Sequence, residues 1–147
     1  MAQTFFRRVW ERLRRWFLGP SRYAYFEQAR QRPRLDDDAF YEQFYAGTGI
    51  PKDIPVRLRV VFANMVGVAP RTIRPEDNCL LIHEELDLAE LIWGLEREFK
   101  MKVDIETAFK GPIGHKGKTT LCRGEIDGSF DSVVQYLARV RREQQAV

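Results

Sequence analysis

The apolar positions between residues 86 and 100 repeat with the spacing of an α-helix. Acidic residues lie between them and fall on the other faces of that helix. The pattern therefore predicts an amphipathic helix over residues 86–100 with one buried face. The apolar stripe consists of Leu88, Leu91, Ile92, Leu95 and Phe99.

Two earlier segments also have helical patterns. The Asp36-Asp37-Asp38 run can cap a helix because carboxylates accept hydrogen bonds from free backbone amides. The short helix that it predicts ends at the Gly47-Thr48-Gly49 run. Pro55 near the start and Gly67 as a stop signal predict a further helix over residues 55–65.

The second half of the chain has two more helical segments. Residues 103–109 allow one or two helical turns, and residues 130–141 have the pattern of a closing helix. Between them, residues 111–128 contain glycine, lysine and threonine without a clear period, which predicts a loop or a small hairpin.

The N-terminal segment has an aromatic stripe and an arginine-rich side. Apolar residues recur every four positions over residues 4–18, which predicts an amphipathic helix that the Gly19-Pro20-Ser21 run ends. The basic, proline-containing residues 30–34 are typical of a linker. We therefore divide the chain into an N-terminal extension, residues 1–34, and a helical body, residues 35–147.

The net charge of +3 is unevenly distributed. Residues 1–34 hold nine Arg and two Glu, a net charge of +7, so the remainder carries −4. This asymmetry indicates an anionic partner for the extension rather than a uniformly basic nucleic-acid binder. An apolar content of 44% is sufficient for one ordinary core.

Cysteine and apolar spacing exclude several classes of protein. Cys79 and Cys122 do not have the spacing of a zinc site or of a disulfide framework. No stretch approaches the roughly 18 consecutive apolar residues that a spanning helix needs. A secretory signal is not expected either, because the N-terminus lacks an unbroken apolar core.

The segment from Leu81 to Phe99 resembles the recognition helix of the acyl carrier protein family. In that family an Asp-Ser-Leu step opens a long acidic helix, and Glu84, Glu85 and Leu86 occupy the matching positions here. Residues 103–108 and 130–137 are similar to the third and fourth helices of the family. The resemblance covers about residues 54–140 and is nearest to a bacterial uncharacterised subgroup that lacks the serine.

The resemblance implies an all-α fold: a four-helix acyl-carrier-like bundle preceded by the amphipathic N-terminal helix. It also implies the absence of a covalent cofactor. The family's serine carries phosphopantetheine, and Glu85 stands at that position, where a glutamate cannot form the phosphodiester. We therefore expect no cofactor and no catalytic residue.

Carriers of this family present an acidic helix face to basic patches on their enzymes. Complementary charge of this kind mainly supplies steering and register. The alternative is a solvated helix face without a partner. The residues that the resemblance assigns to a protein partner with a basic patch are Glu84, Asp87, Glu90, Glu96 and Glu98.

Two partners fit the N-terminal helix. Its aromatic stripe can pack against protein, either the body or another chain, or its rings can enter the headgroup region of an anionic membrane while arginines meet the lipid. Nucleic acid is not expected because the body is acidic. The contact residues are Phe5, Phe6, Trp10, Trp16, Arg8, Arg12 and Arg15.

Three other motifs have a structural and a chemical interpretation. Ser132 follows Asp131 and could accept phosphopantetheine, but a helix cap formed by Ser129 or Asp131 is favoured. The stretch from Gly111 to Thr119 partly matches a phosphate-binding loop, although five residues, not four, separate its two key glycines. The histidines, His83 and His115, have no second ligand at metal-binding spacing.

The sequence therefore predicts a cytoplasmic, non-catalytic interaction module that docks a partner through its acidic second helix. The chain would lie at the inner face of the membrane if the N-terminal helix binds lipid. The alternatives are a genuine acyl carrier of fatty-acid or polyketide metabolism, primed at another serine such as Ser132, and a membrane-surface adaptor.

Overall fold

The computed structural model of the chain describes residues 20–79, 88–115 and 118–147, and side chains within 23–79, 89–112 and 121–147. The described residues form a mostly helical domain with one two-stranded sheet. The elements in chain order are α1 (Pro20–Gln31), α2 (Asp37–Phe44), α3 (Asp53–Val66), a 3-10 turn (Pro70–Thr72), α4 (Leu88–Phe99), α5 (Ile105–Ala108), β1 (Lys110–His115), β2 (Lys118–Arg123) and α6 (Phe130–Gln145).

Side-chain caps define several helix ends. The Asp36 carboxylate accepts a hydrogen bond from the Ala39 amide at 2.7 Å and so begins α2. Gly67 ends α3 in the left-handed conformation, with φ of 78°. Ser129 begins α6 by accepting from the Ser132 amide at 3.2 Å. The predicted caps at Asp36, Gly67 and Ser129 are confirmed.

Two segments, Lys110–His115 and Lys118–Arg123, form strands, so the all-α prediction is correct only for the helical part. The antiparallel register pairs Lys110 with Arg123 and His115 with Lys118. Gly124 closes the hairpin against α5, because a Cβ at this position would lie 2.3 Å from the carbonyl carbon of Ala108. Only glycine allows this approach without movement of the backbone.

Aromatic rings from three helices meet at the centre of the core. Phe130 of α6 packs edge-on against Phe40 of α2, with ring centroids 5.8 Å apart, and against Phe62 of α3, at 5.2 Å. From α4, Leu91 and Leu95 are fully buried in the same core. The buried stripe predicted for this helix is confirmed at these two positions.

Helix α1 belongs to this core rather than to a separate segment. Tyr25 and Ala29 of α1 are buried with the residues of the body. Just after α1, the Arg32 guanidinium forms a paired contact with the Asp77 carboxylate, at 2.7 and 2.8 Å. The interpretation of residues 30–34 as a linker is therefore wrong at Arg32, which is paired with the body. The sequence alone does not reveal this pairing, because Asp77 lies 45 positions away.

Asp77 accepts more hydrogen bonds than Arg32 alone supplies. Its carboxylate also accepts from the Tyr25 hydroxyl at 3.0 Å and from the Arg74 amide at 2.9 Å. Burial, the Asp77 charge and this hydrogen bond all raise the pKa of Tyr25, so its hydroxyl remains a donor. The backbone carbonyl of Asp77 accepts from the Phe130 amide at 2.8 Å, which joins the cluster to α6.

A second buried cation lies on α3. Arg59 is 0% exposed, and its guanidinium donates to the carbonyls of Leu35 and Pro70 at 2.8 and 3.0 Å and to the Asp37 carboxylate at 3.1 Å. Burial lowers the pKa of Arg59, which nevertheless stays cationic because a guanidinium is not deprotonated in proteins. This arginine connects α3 to the residues before α2.

An exposed ion pair joins the closing helix α6 to the start of α3. Arg141 of α6 donates to the Asp53 carboxylate at 2.8 Å, near the start of α3. That hydrogen bond is the main cause of the lowered pKa of Asp53. Because the pKa of Asp53 is lower in the folded chain, the ion pair stabilises the fold at pH values above the ordinary carboxyl pKa. This stabilisation is lost as the pH falls through the lowered pKa.

We expect Asp77→Ala to lower the free energy of unfolding by about 3–5 kcal/mol, because it leaves the Arg32 guanidinium without its counter-charge and two further donors without an acceptor. Urea unfolding followed by circular dichroism measures the loss. The matched control is Glu76→Ala, since Glu76 is exposed and adjacent. Similar losses in the two variants would contradict the role given to the Asp77 carboxylate.

Candidate functional site

The acidic residues predicted for partner binding are only partly described. Glu84, Asp87 and the serine-position residue Glu85 lie outside the described residues. Glu90, Glu96 and Glu98 lie on α4, where Glu90 is exposed and the other two are half-buried. The structure therefore brings three of the predicted carboxylates onto one helix.

Two of these carboxylates are engaged within the domain. Glu96 accepts a hydrogen bond from the Val103 amide at 3.0 Å, which holds the segment after α4. Glu98 accepts from Arg57 of α3 at 2.9 Å, and Arg57 also contacts the Glu98 carbonyl. These contacts give Glu96 and Glu98 structural roles, so Glu90 is the described carboxylate best placed to meet a partner.

A surface groove of about 430 Å³ runs between α3 and α4. Its apolar lining comes from both helices. They approach closely at Gly94, where an added Cβ would lie only 3.0 Å from Val61 Cγ1. Val60 is 49% exposed on the α3 side of the groove. The lining residues are Val60, Val61, Asn64, Met65, Glu90, Trp93, Gly94, Arg97 and Glu98.

Trp93 is the largest apolar side chain at this groove and is 61% exposed. The Arg97 guanidinium lies over its ring, 5.0 Å from the centroid. A second groove of about 460 Å³ is also lined by Trp93 and Arg97 and reaches Met101 and Lys102. Trp93 thus lines both grooves, with Glu90 one helical turn before it.

Sequence reasoning did not identify Trp93 or the groove. The helix pattern did contain one signal, because Trp93 lies off the apolar stripe that Leu91 and Leu95 define. An aromatic ring at such a position should face solvent. The groove itself depends on how α3 meets α4, which no local pattern reveals.

The N-terminal contact residues remain a prediction. Phe5, Phe6, Trp10, Trp16, Arg8, Arg12 and Arg15 all lie outside the described residues. Among the described helices, none has the length and apolarity needed to cross a membrane.

The alternative phosphopantetheine site is part of a helix cap. The Ser132 hydroxyl donates to the Ser129 carbonyl at 2.8 Å and accepts from the Asp127 amide at 3.2 Å. Ser132 therefore serves the N-terminus of α6, as the capping interpretation predicts. A phosphodiester at this oxygen would remove the hydroxyl proton and therefore the hydrogen bond to the Ser129 carbonyl.

The partial phosphate-loop motif lies in the hairpin. Gly111 is in β1, and Lys118 and Thr119 of the motif are in β2, whereas a phosphate-binding loop connects a strand to a helix. Within the described ranges, no cluster of three or more His, Cys, Asp or Glu side chains could hold a metal ion. Cys79 and Cys122 are both buried and are not joined to each other.

No protein-family model, curated protein or solved structure matches the chain. The resemblance to acyl carrier proteins therefore rests on the sequence motifs, and it remains a proposal.

We expect Trp93→Ala to change the free energy of unfolding by less than about 1 kcal/mol, because an exposed cation–π contact contributes little more than that. Leu95→Ala on the same helix should cost about 2–5 kcal/mol, since it leaves a cavity in the core. Urea unfolding followed by circular dichroism compares the two variants. A large loss at Trp93 would show that its ring supports the fold rather than a free surface.

Proposed function

We propose that the chain is a non-catalytic protein-interaction module with an acyl-carrier-like layout, and that it docks a partner on α4. The docking surface consists of Glu90, Trp93 and the groove formed with Val60, Val61 and Met65. The observation that carries this proposal is the exposed Trp93 ring at the edge of an apolar groove, one helical turn from an exposed carboxylate.

The order of the helices supports the carrier-like part of the proposal. Helix α3, helix α4, the one-turn α5 and helix α6 follow one another in the order of the four helices of a carrier. Both α4 and α6 pack against α3. The hairpin between α5 and α6 and the helices α1 and α2 are additions to that layout.

The residues at the two candidate serine positions support a module without a covalent cargo. Glu85 occupies the position of the carrier serine and cannot form the phosphodiester. The hydroxyl of Ser132, the other candidate, makes two hydrogen bonds within the α6 cap. No described observation favours the alternative of a carrier primed at Ser132.

The chemistry of the groove defines the partner. Val60, Val61, Met65 and Trp93 would cover apolar side chains, and a tryptophan beside a pocket is a common energetic centre of protein interfaces. Exposed Glu90 favours a basic residue on the partner. In the sequence, Glu84, Glu85 and Asp87 shortly precede Glu90 and are acidic as well. The partner that fits is a protein segment with an apolar anchor followed by Lys or Arg.

Site-specific photocrosslinking in the native host tests the docking surface. A photoreactive amino acid at Val60 should capture one partner, and Trp93→Ala should reduce that product about tenfold or more, because truncation of a central tryptophan typically costs about 2 kcal/mol or more of binding energy. Glu90→Lys should reduce it as well, through repulsion of the basic residue.

Two matched controls accompany this experiment. The same photoreactive residue at exposed Gln28 of α1 should not give the product, and Glu106→Lys, a charge reversal on α5, should leave it unchanged. A Val60 product that is insensitive to Trp93→Ala and Glu90→Lys would contradict the proposed surface.

A further inference from the structure

The hairpin has one face toward the body and one toward solvent. Cys122 is buried, whereas its strand neighbours Leu121 and Arg123 are exposed; on β1, Lys110 and Pro112 are exposed. Adjacent residues of a strand point to opposite faces, and paired residues on two strands share a face. The register therefore places Lys110 beside Arg123 and Pro112 beside Leu121 on the outer face.

The outer face carries two cations, Lys110 and Arg123, directly opposite each other. Like charges directly opposite each other on paired strands are destabilising. Among the described carboxylates, none forms an ion pair with Lys110 or Arg123. Residues 110–123 include four Lys and Arg residues and no Asp or Glu, which gives this segment a formal charge of +4. An anionic partner would relieve this repulsion.

An apolar side chain projects beside the two cations. Leu121 is 70% exposed and is paired with the exposed ring of Pro112. An isolated exposed leucine is ordinary. At this site it lies next to Lys110 and Arg123 on the outer face, so apolar and cationic groups face the same direction.

The base of the hairpin is firmly attached to the body. The Lys110 amide donates to the Ile126 carbonyl at 2.8 Å, and the Gly124 amide donates to the Phe109 carbonyl at 2.6 Å. Ile126 and Phe109 are fully buried. The outer face is thus held in a fixed orientation, and a contact made by it would orient the whole domain.

We infer that the outer face of the hairpin binds an anionic lipid bilayer, with Lys110 and Arg123 at the headgroup phosphates and Leu121 in the acyl boundary. A projecting leucine beside cations fits a fluid, negatively charged surface. A protein partner would instead have to supply both a pocket for Leu121 and carboxylates opposite Lys110 and Arg123. The bilayer also agrees with the arginine-rich sequence of residues 1–34.

Vesicle co-sedimentation of the full chain tests this inference. Vesicles of phosphatidylcholine with phosphatidylglycerol should bind the chain, and Lys110→Gln with Arg123→Gln should lower the partition constant about 25-fold, because each cation at an anionic surface contributes about fivefold. Vesicles of phosphatidylcholine alone should bind poorly.

A charge-matched variant separates this site from overall charge. Lys102→Gln with Arg142→Gln removes two exposed cations elsewhere and should lower the partition constant less than about threefold, since the two positions are not part of the outer face. Equal losses in the two double variants, or no loss in either, would overturn the inference. Binding of the hairpin to an acidic polypeptide but not to vesicles would overturn it as well.

A fluorescence measurement tests the position of Leu121 directly. In a chain with Leu121→Trp and with Trp10, Trp16 and Trp93 replaced by Phe, the remaining indole should shift its emission to shorter wavelength when anionic vesicles are added. Lipid-borne quenchers should then reduce its emission. Emission that stays at the solvent-exposed wavelength while the chain is bound to vesicles would overturn the placement of this face at the bilayer.

Discussion

The Asp77 carboxylate is the group on which the arrangement of the domain depends. It accepts hydrogen bonds from Tyr25 in α1, from Arg32 after α1 and from the backbone of Arg74, while its own carbonyl holds the first amide of α6 at Phe130. A buried charge is tolerated only with such a set of donors, and it is costly when the set is incomplete. The first and last described helices are therefore fixed against the residues that follow α3.

The two surface grooves lie beside α4, on the side of that helix that the core does not cover. The core occupies one side of α4 through Leu91 and Leu95, and Arg57 of α3 holds the end of α4 through Glu98. Trp93 lies on the side of α4 that no described element covers. The same packing that stabilises the domain thus leaves the Trp93 side chain exposed on its surface. This is the side chain that we propose a partner buries.

Local patterns predicted the helices and their caps but not the contacts between distant residues. Asp36 and Gly67 act over one turn of chain, so sequence shows their roles directly. Arg59 has the appearance of an ordinary polar position on α3, yet it is fully buried because its partners are carbonyls from two other segments. The pairing of Arg32 with Asp77 spans 45 positions, and the outer face of the hairpin depends on strand register. Such long-range pairings depend on the tertiary structure, and the spacing of residue types along the chain does not reveal them.

The claim that this module carries no covalent cargo is tested most directly by its intact mass after incubation with coenzyme A and a broad-specificity phosphopantetheinyl transferase. We expect no mass gain on the natural chain, because the proposed resemblance places Glu85 at the serine position and the Ser132 hydroxyl is engaged in the α6 cap. Glu85→Ser, treated in parallel, shows whether the surrounding surface is still recognised by the transferase. A phosphopantetheine mass gain on the natural chain would contradict the account and identify the protein as a working carrier.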